Sequence, residues 1–198
     1  MIRELLPKSV KNFIKSIRTF YYGYGYRLFG HESIIKSPLR ILGKNYISVG
    51  ARCYIQPGLR LEAVSSWGGH KYVPEVIIQD DVTIGQNCHF TCASRLFIGE
   101  GTSILPHVLI TDIEHLYVPG RSLGESGLEV GSVNIGRNVT IGMGARILGH
   151  RNISIGNNAV IGTNAVVCQN VPPNVMVAGI PAKEIKKYNY EKKCWVNI

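Results

Sequence analysis

Aliphatic residues recur every six positions along most of the chain, with polar or turn-forming residues between them. Ile98, Ile104 and Ile110 carry the beat most plainly, and Thr102 and Val108 put a small or β-branched residue four positions after the first two. The beat returns at Val49 and Ile55, at Ile78, Ile84 and Phe90, at Ile135, Ile141 and Ile147, and at Ile155, Ile161 and Val167. Glycine follows the aliphatic residue at Gly50, Gly85, Gly99, Gly136, Gly142, Gly156 and Gly162, where the backbone must turn tightly. Self-similarity at a short fixed period predicts a solenoid in which each turn buries its apolar residues against the turns above and below. Short strands joined by such corners stack as a parallel β-helix, whereas a β-sandwich would show period-two alternation with turns at intervals of roughly eight to twelve residues.

Two stretches break the beat and are expected to be loops, one near 57–75 with Trp67, Gly68, Gly69 and His70, the other near 112–132. Long excursions from a solenoid tend to be functional, because the coil itself tolerates little variation. The second begins beside His115, at the edge of the repeat. Residues 1–30 differ in kind. Ile2, Leu5, Leu6, Val10, Phe13, Ile14, Ile17 and Phe20 fall at helical spacing with Arg3, Lys8, Lys11, Lys15 and Arg18 mostly opposite, which predicts a basic amphipathic helix. Such a helix can cap the open end of the solenoid or lie on an anionic membrane surface. The division expected is therefore an N-terminal helical segment 1–30, a β-helix 31–182 and a basic tail 183–198, the last read as a short helix.

Composition narrows the class without naming it. An apolar content of 45% against 18% charged residues suits one ordered domain of 198 residues. A formal charge of +9 asks for an anionic partner. Nucleic acid fits poorly, since the basic residues gather at the termini without aromatic interleaving along a face. Cys53, Cys88, Cys92, Cys168 and Cys194 form no CxxC pair, and Cys53 and Cys88 fall at the small inward position of the repeat. An odd count without a framework suits a reducing compartment, and no secretory signal or spanning segment is read, so a cytoplasmic location is expected.

The hexapeptide beat, the histidine closing a coil before a loop, and the ending from Val171-Pro172-Pro173-Asn174 through Ala178-Gly179-Ile180-Pro181-Ala182-Lys183 together resemble the hexapeptide-repeat acyltransferases. The likeness is strongest to the acetyltransferases of sugars, lipopolysaccharide and O-antigen. The resemblance implies an all-β, left-handed parallel β-helix, a homotrimer, and acetyl-CoA as donor to a sugar of a bacterial surface polysaccharide, without metal. It implies His115 as general base, a role that suits an imidazole near neutral pH. Asp112 is a candidate to orient its ring, with Glu114, Glu125 and Glu129 as alternatives. The turn Gly142-Met143-Gly144 matches the family's oxyanion donor. Thr163, Cys168 and Gln169 match positions along the pantetheine arm, and Lys183 and Lys186 match positions that meet the CoA phosphates.

Two departures stand out. Ile147 to Ile153 reads as two residues longer than the usual coil, and Thr91 falls where an asparagine assists the acceptor in galactoside-type relatives. Three readings stay open beside sugar O-acetylation. They are N-acetylation of an amino sugar, zinc chemistry at His89, His107 and His115, and a non-catalytic, membrane-associated β-helix module.

Overall fold

The computed structural model describes residues 21–198, so the amphipathic helix expected before residue 21 lies outside the described residues. Three parallel sheets wind as the faces of a prism. The first coil is β1 (Leu28–Phe29), β2 (Ile34–Ile35) and β3 (Arg40–Leu42), and the second is β4 (Ile47–Val49), β5 (Tyr54–Ile55) and β6 (Arg60–Ala63). A hairpin of β7 (Ser66–Trp67) and β8 (His70–Lys71) follows before the third coil, β9 (Glu75–Ile78), β10 (Thr83–Ile84) and β11 (His89–Cys92). The fourth coil, β12 (Arg95–Ile98), β13 (Ser103–Ile104) and β14 (Leu109–Thr111), leads into a second hairpin, β15 (Ile113–His115) and β16 (Leu128–Val130). The fifth and sixth coils are β17 (Ser132–Ile135), β18 (Thr140–Ile141) and β19 (Arg146–Leu148), then β20 (Ile153–Ile155), β21 (Val160–Ile161) and β22 (Val166–Val167).

The first, second and third strand of each coil stack on their counterparts to give sheets A, B and C. Pairing in register, such as Ile78 with Ile98, Ile98 with Ile135 and Ile135 with Ile155, lines up identical inward positions. The six-residue beat is thus the step from one face to the next, and the side chains it marks, Ile55, Ile84, Ile98, Ile110 and Ile135 among them, are buried. Cys53 and Cys88 point inward as expected. Ser33 and Thr102 take the same small inward position, and each satisfies its hydroxyl against a neighbouring coil. Ser33 donates to Gly50 O and Thr102 to Gly136 O, at 2.6 and 2.9 Å.

The step from sheet C back to sheet A is longer than the other two in every uninterrupted coil, running from Ile41 to Val49, Phe90 to Ile98 and Ile147 to Ile155. The segment after Ile147 is therefore the ordinary corner of this coil, closed by Asn152 in the left-handed region at φ 63°, and no bulge. At the A-to-B corners the coils nearly touch. A Cβ placed on Gly99 would lie 2.5 Å from both C and O of Gly136, which only backbone displacement could relieve. Gly99→Ala is expected to destabilise the protein by about 1–3 kcal/mol, read as a fall in the urea midpoint with an unchanged slope.

Three boundaries differ from those read in the sequence. The coil starts at Leu28, because Leu28 and Phe29 pair with Ser48 and Val49. Residues 60–63 remain in sheet C as β6, so the first excursion is shorter than 57–75. The C-terminal tail is extended, with no helix. β23 (Val175–Gly179) turns back into β24 (Ala182–Asn189), which pairs antiparallel with β23 and with β25 (Cys194–Asn197). The end of a β-solenoid presents an unpaired strand edge, and a hairpin saturates that edge as a helix could not. Tyr188 supports it by meeting Tyr190 and Trp195 edge-on at 5.1 and 5.5 Å between ring centroids.

Candidate active site

Both hairpins leave the coil at the corner between sheets C and A, one after coil two and the other after coil four, and they fold onto each other. The Leu128 N–H donates to the Tyr72 hydroxyl at 2.9 Å. A Cβ on Gly68 would collide with the Ser126 carbonyl, and one on Gly127 would touch the His70 ring at 3.3 Å. At the junction the Trp67 ring meets the His115 ring edge-on, with centroids 5.0 Å apart and planes at 61°. An indole edge held against an imidazole fixes the ring plane, which a base on a free loop would lack.

His115 sits at the end of β15, opposite Leu128. Its Nδ1 is buried without a hydrogen-bond partner among the described residues, so Nε2 is the nitrogen left to face a substrate. The main chain beneath it is tied down. Glu114 Oε1 accepts from the His115 N–H and from the Tyr117 hydroxyl, both at 3.1 Å, and the bond to Glu114 pushes the Tyr117 phenol above its ordinary value. Glu125 is occupied elsewhere, accepting from the Ser122 N–H at 3.1 Å in a capping box. That bond holds its carboxyl below the usual range.

Asp112 is not the partner of the ring. Its Oδ1 accepts from the Ala93 N–H at 2.8 Å, and its Oδ2 accepts from the N–H groups of Ser94 and Arg95 at 2.8 and 2.9 Å. Burial raises its pKa, and these backbone donors pull the other way. Asp112 therefore ties the root of the His115 hairpin to the corner of the previous coil. It positions His115 through the chain and does not touch it.

Of the residues expected to meet the acyl donor, Met143 and Thr163 stand at another corner, between sheets B and C. Register places Ile141 beside Ile161, so Met143 and Thr163 stand at the same corner of successive coils. The Gly142 N–H donates to Ile161 O at 2.8 Å and the Gly144 N–H to Pro106 O at 3.0 Å, so neither is free to bind an oxyanion. The Met143 and Thr163 N–H groups, with no hydrogen bond among the described residues, are donors this corner can offer. Arg146 braces the turn, its Nη1 donating to Gly144 O at 2.6 Å and to His107 O at 3.1 Å. Cys168 and Lys183 are exposed and Lys186 is half-buried toward the C-terminal end, the lysines on β24. Within one chain, then, His115 stands by the C-to-A corner, and Met143 and Thr163 stand at the B-to-C corner.

His89 pairs with Leu109, so it does not stack on His107, which occupies a left-handed corner at φ 62°. Among the described residues no cluster of three or more His, Cys, Asp or Glu side chains is placed to hold a metal ion. The sequence named Trp67 only as part of an excursion. Its contact with His115 had no local signal, because the two lie in loops two coils apart.

No family model matches the chain. WbbJ of Escherichia coli K12, named as a lipopolysaccharide biosynthesis O-acetyl transferase, is 32% identical over 170 residues, covering 82% of each chain. The galactoside O-acetyltransferase of the same strain is 25% identical over 171 residues, 82% of this chain and 74% of that one. Among solved structures, a variant of AntD, an N-acyltransferase from Bacillus cereus in complex with dTDP-4-amino-4,6-dideoxyglucose and coenzyme A, superposes with a TM-score of 0.70. That match spans 87% of this chain and 90% of AntD at 17% identity, and it speaks to the fold alone. The chain belongs to the hexapeptide-repeat acyltransferases. It is an acyl-transferring enzyme built on a parallel β-helix.

Proposed function

We propose that this enzyme transfers the acetyl group of acetyl-CoA to a hydroxyl of a bacterial surface polysaccharide, such as O-antigen or capsule, with His115 as the base. The observation that carries the reading is the imidazole held against Trp67 on a hairpin beside the coil, with Nδ1 buried and Nε2 left as the nitrogen to take a proton. The relationship to WbbJ supports the acceptor class. An alcohol becomes an adequate nucleophile only as its proton leaves. Nε2 takes that proton, the alkoxide oxygen bonds to the thioester carbon, and the oxyanion is stabilised by a backbone N–H, for which Met143 is placed. The C–S bond then breaks, and the imidazolium returns the proton to the departing thiolate. Among the described residues no hydroxyl or thiol is hydrogen-bonded to the His115 ring, so direct transfer in a ternary complex suits the site better than an acyl-enzyme.

The coil is taken as left-handed and the assembly as a homotrimer, in which His115 of one chain faces the Met143–Thr163 corner of a neighbour. That arrangement closes the gap between the two corners. Thr163, Cys168, Lys183 and Lys186 would then line the path of the pantetheine arm and phosphates, where lysines serve as point charges. Among the described residues no helix is long and apolar enough to cross a membrane, and the location is proposed as cytoplasmic.

The test is release of CoA thiol from acetyl-CoA against a panel of sugars and polysaccharide repeat units. Acceptor-dependent release is expected. Absence of release with every acceptor, together with no binding of acetyl-CoA, would sink the reading. Trp67→Ala removes the edge contact that orients the base, worth about 0.5–1.5 kcal/mol. Its expected effect is a kcat about three- to tenfold lower with KM for acetyl-CoA unchanged, measured by steady-state kinetics.

A further inference from the structure

The outer face of sheet C, at the foot of both hairpins, carries a charged cluster that the mechanism does not use. Leu61 and Ala63 point into the core, so Arg60 and Glu62 between and beside them point outward, yet Glu62 is only 8% exposed. Two guanidinium groups hold its carboxylate. Arg40 Nε lies 3.2 Å from Oε1 and Arg60 Nη2 lies 2.9 Å from Oε2. The Arg60 Nε is itself buried and has no partner among the described residues. His89 stands alongside, its Nε2 3.2 Å from the Thr91 hydroxyl and 3.8 Å from Glu62. Burial, then the charge of Arg60, lowers the His89 pKa, so this ring brings no charge of its own near neutral pH.

Such a cluster is a poor stabiliser. Exposed ion pairs contribute roughly 0–1 kcal/mol, and taking a carboxylate out of water costs several kcal/mol that apolar side chains would avoid. What it does achieve is order. Glu62 freezes two guanidinium forks that stay 59% and 43% exposed at Arg40 and Arg60, leaving donors turned to solvent. Two cations against one anion leave a net positive shelf. The outward positions of the neighbouring strands, Leu109 and Thr111 on β14 and Arg146 and Leu148 on β19, add no acid and one more cation. Preordered guanidinium forks match the planar oxygen pairs of carboxylates and phosphates.

Position ties the shelf to the reaction. Glu62, Thr91 and Thr111 lie in register on successive strands. At a strand spacing of about 4.8 Å, Glu62 is about 10 Å from Thr111, where the chain enters the His115 hairpin. From the other side, the chain runs from Glu62 into the hairpin that presses Trp67 on His115.

We infer that Arg40 and Arg60, held by Glu62, form a subsite for a carboxylate or phosphate group carried by the acceptor. The inference rests on the sugar O-acetyltransferase reading and sharpens it, naming an anionic saccharide as the preferred acceptor.

The experiment compares two matched pairs of acceptors: a uronic-acid oligosaccharide against the same oligosaccharide with its carboxyl groups reduced to alcohols, and a sugar 1-phosphate against the free sugar. Hydrogen bonds to charged groups predict kcat/KM about tenfold or more higher for the anionic member of at least one pair. Whichever pair shows the ratio identifies the anion. In Arg60→Gln the ratio falls toward one while KM for acetyl-CoA stays put. The double variant Arg60→Gln/Glu62→Gln, which strands no buried charge, shows the same collapse if the single variant folds poorly. A ratio near one in the parent enzyme, or one that survives both variants, overturns the inference.

Melting with glucuronate and with glucose 1-phosphate reads the subsite without turnover. A rise in Tm that Arg60→Gln abolishes supports it, and no rise with either overturns it. A preserved Tm response with no transfer to any acceptor would defeat the O-acetyltransferase reading and leave the anion subsite standing.

Discussion

His115→Ala is expected to lower acetyl transfer by about 10²–10⁴-fold in kcat, the usual contribution of a positioned general base, with little change in KM for acetyl-CoA. The donor is proposed to bind at the Met143–Thr163 corner, which His115 does not touch within its own chain, so ground-state binding should survive. Stability should change little as well. His115 closes a hairpin outside the coil, and its Nδ1 makes no hydrogen bond among the described residues that the variant would lose. Steady-state thiol release beside a melting curve separates the possibilities. Transfer that persists within about threefold of the parent would remove His115 from the mechanism, since a base of ordinary strength cannot be worth so little.

The parts of the molecule legible in the sequence are those with a period. Ile98, Ile104 and Ile110 announce three faces because each inward aliphatic residue meets its own kind one coil away, so the fold is written locally and many times over. The longer C-to-A corner was misread at Ile147–Ile153 as an irregularity, because excursions interrupt the same corner twice and hide that it recurs. The C-terminal hairpin was misread for a related reason. Lys183, Lys186 and Lys187 with Ile185 suit a short helix as a segment alone, and what decides for strand is the open edge of β23, a tertiary fact. His115 was legible because it marks where the period stops. Its neighbour was not, because Trp67 arrives from the other hairpin, and Glu62 likewise gains Arg40 across strands.

Asp112 decides between two accounts of the same carboxylate, and they predict opposite patterns. If it oriented the imidazole, Asp112→Asn would leave the fold intact and cost roughly 10⁴-fold in kcat through the wrong tautomer, as in hydrolase triads. The geometry predicts the reverse order of effects. Oδ1 and Oδ2 between them accept three backbone N–H groups of Ala93, Ser94 and Arg95, and the residue is 1% exposed. Asparagine would turn an NH₂ toward at least one of those donors, and alanine would strand all three in a site closed to water. Asp112→Ala is therefore expected to cost about 3–5 kcal/mol, since each buried donor left without an acceptor costs about 1–3 kcal/mol and local relaxation recovers part. For a chain of this length that is a fall in Tm on the order of 10 °C. Asp112→Asn should fall between parent and alanine. Activity should drop in step with stability, because the root of the hairpin holding His115 loosens when its tie to coil three is cut. A melting point within about 2 °C of the parent in Asp112→Asn, with kcat lost by several orders of magnitude, would return Asp112 to the ring and overturn this assignment.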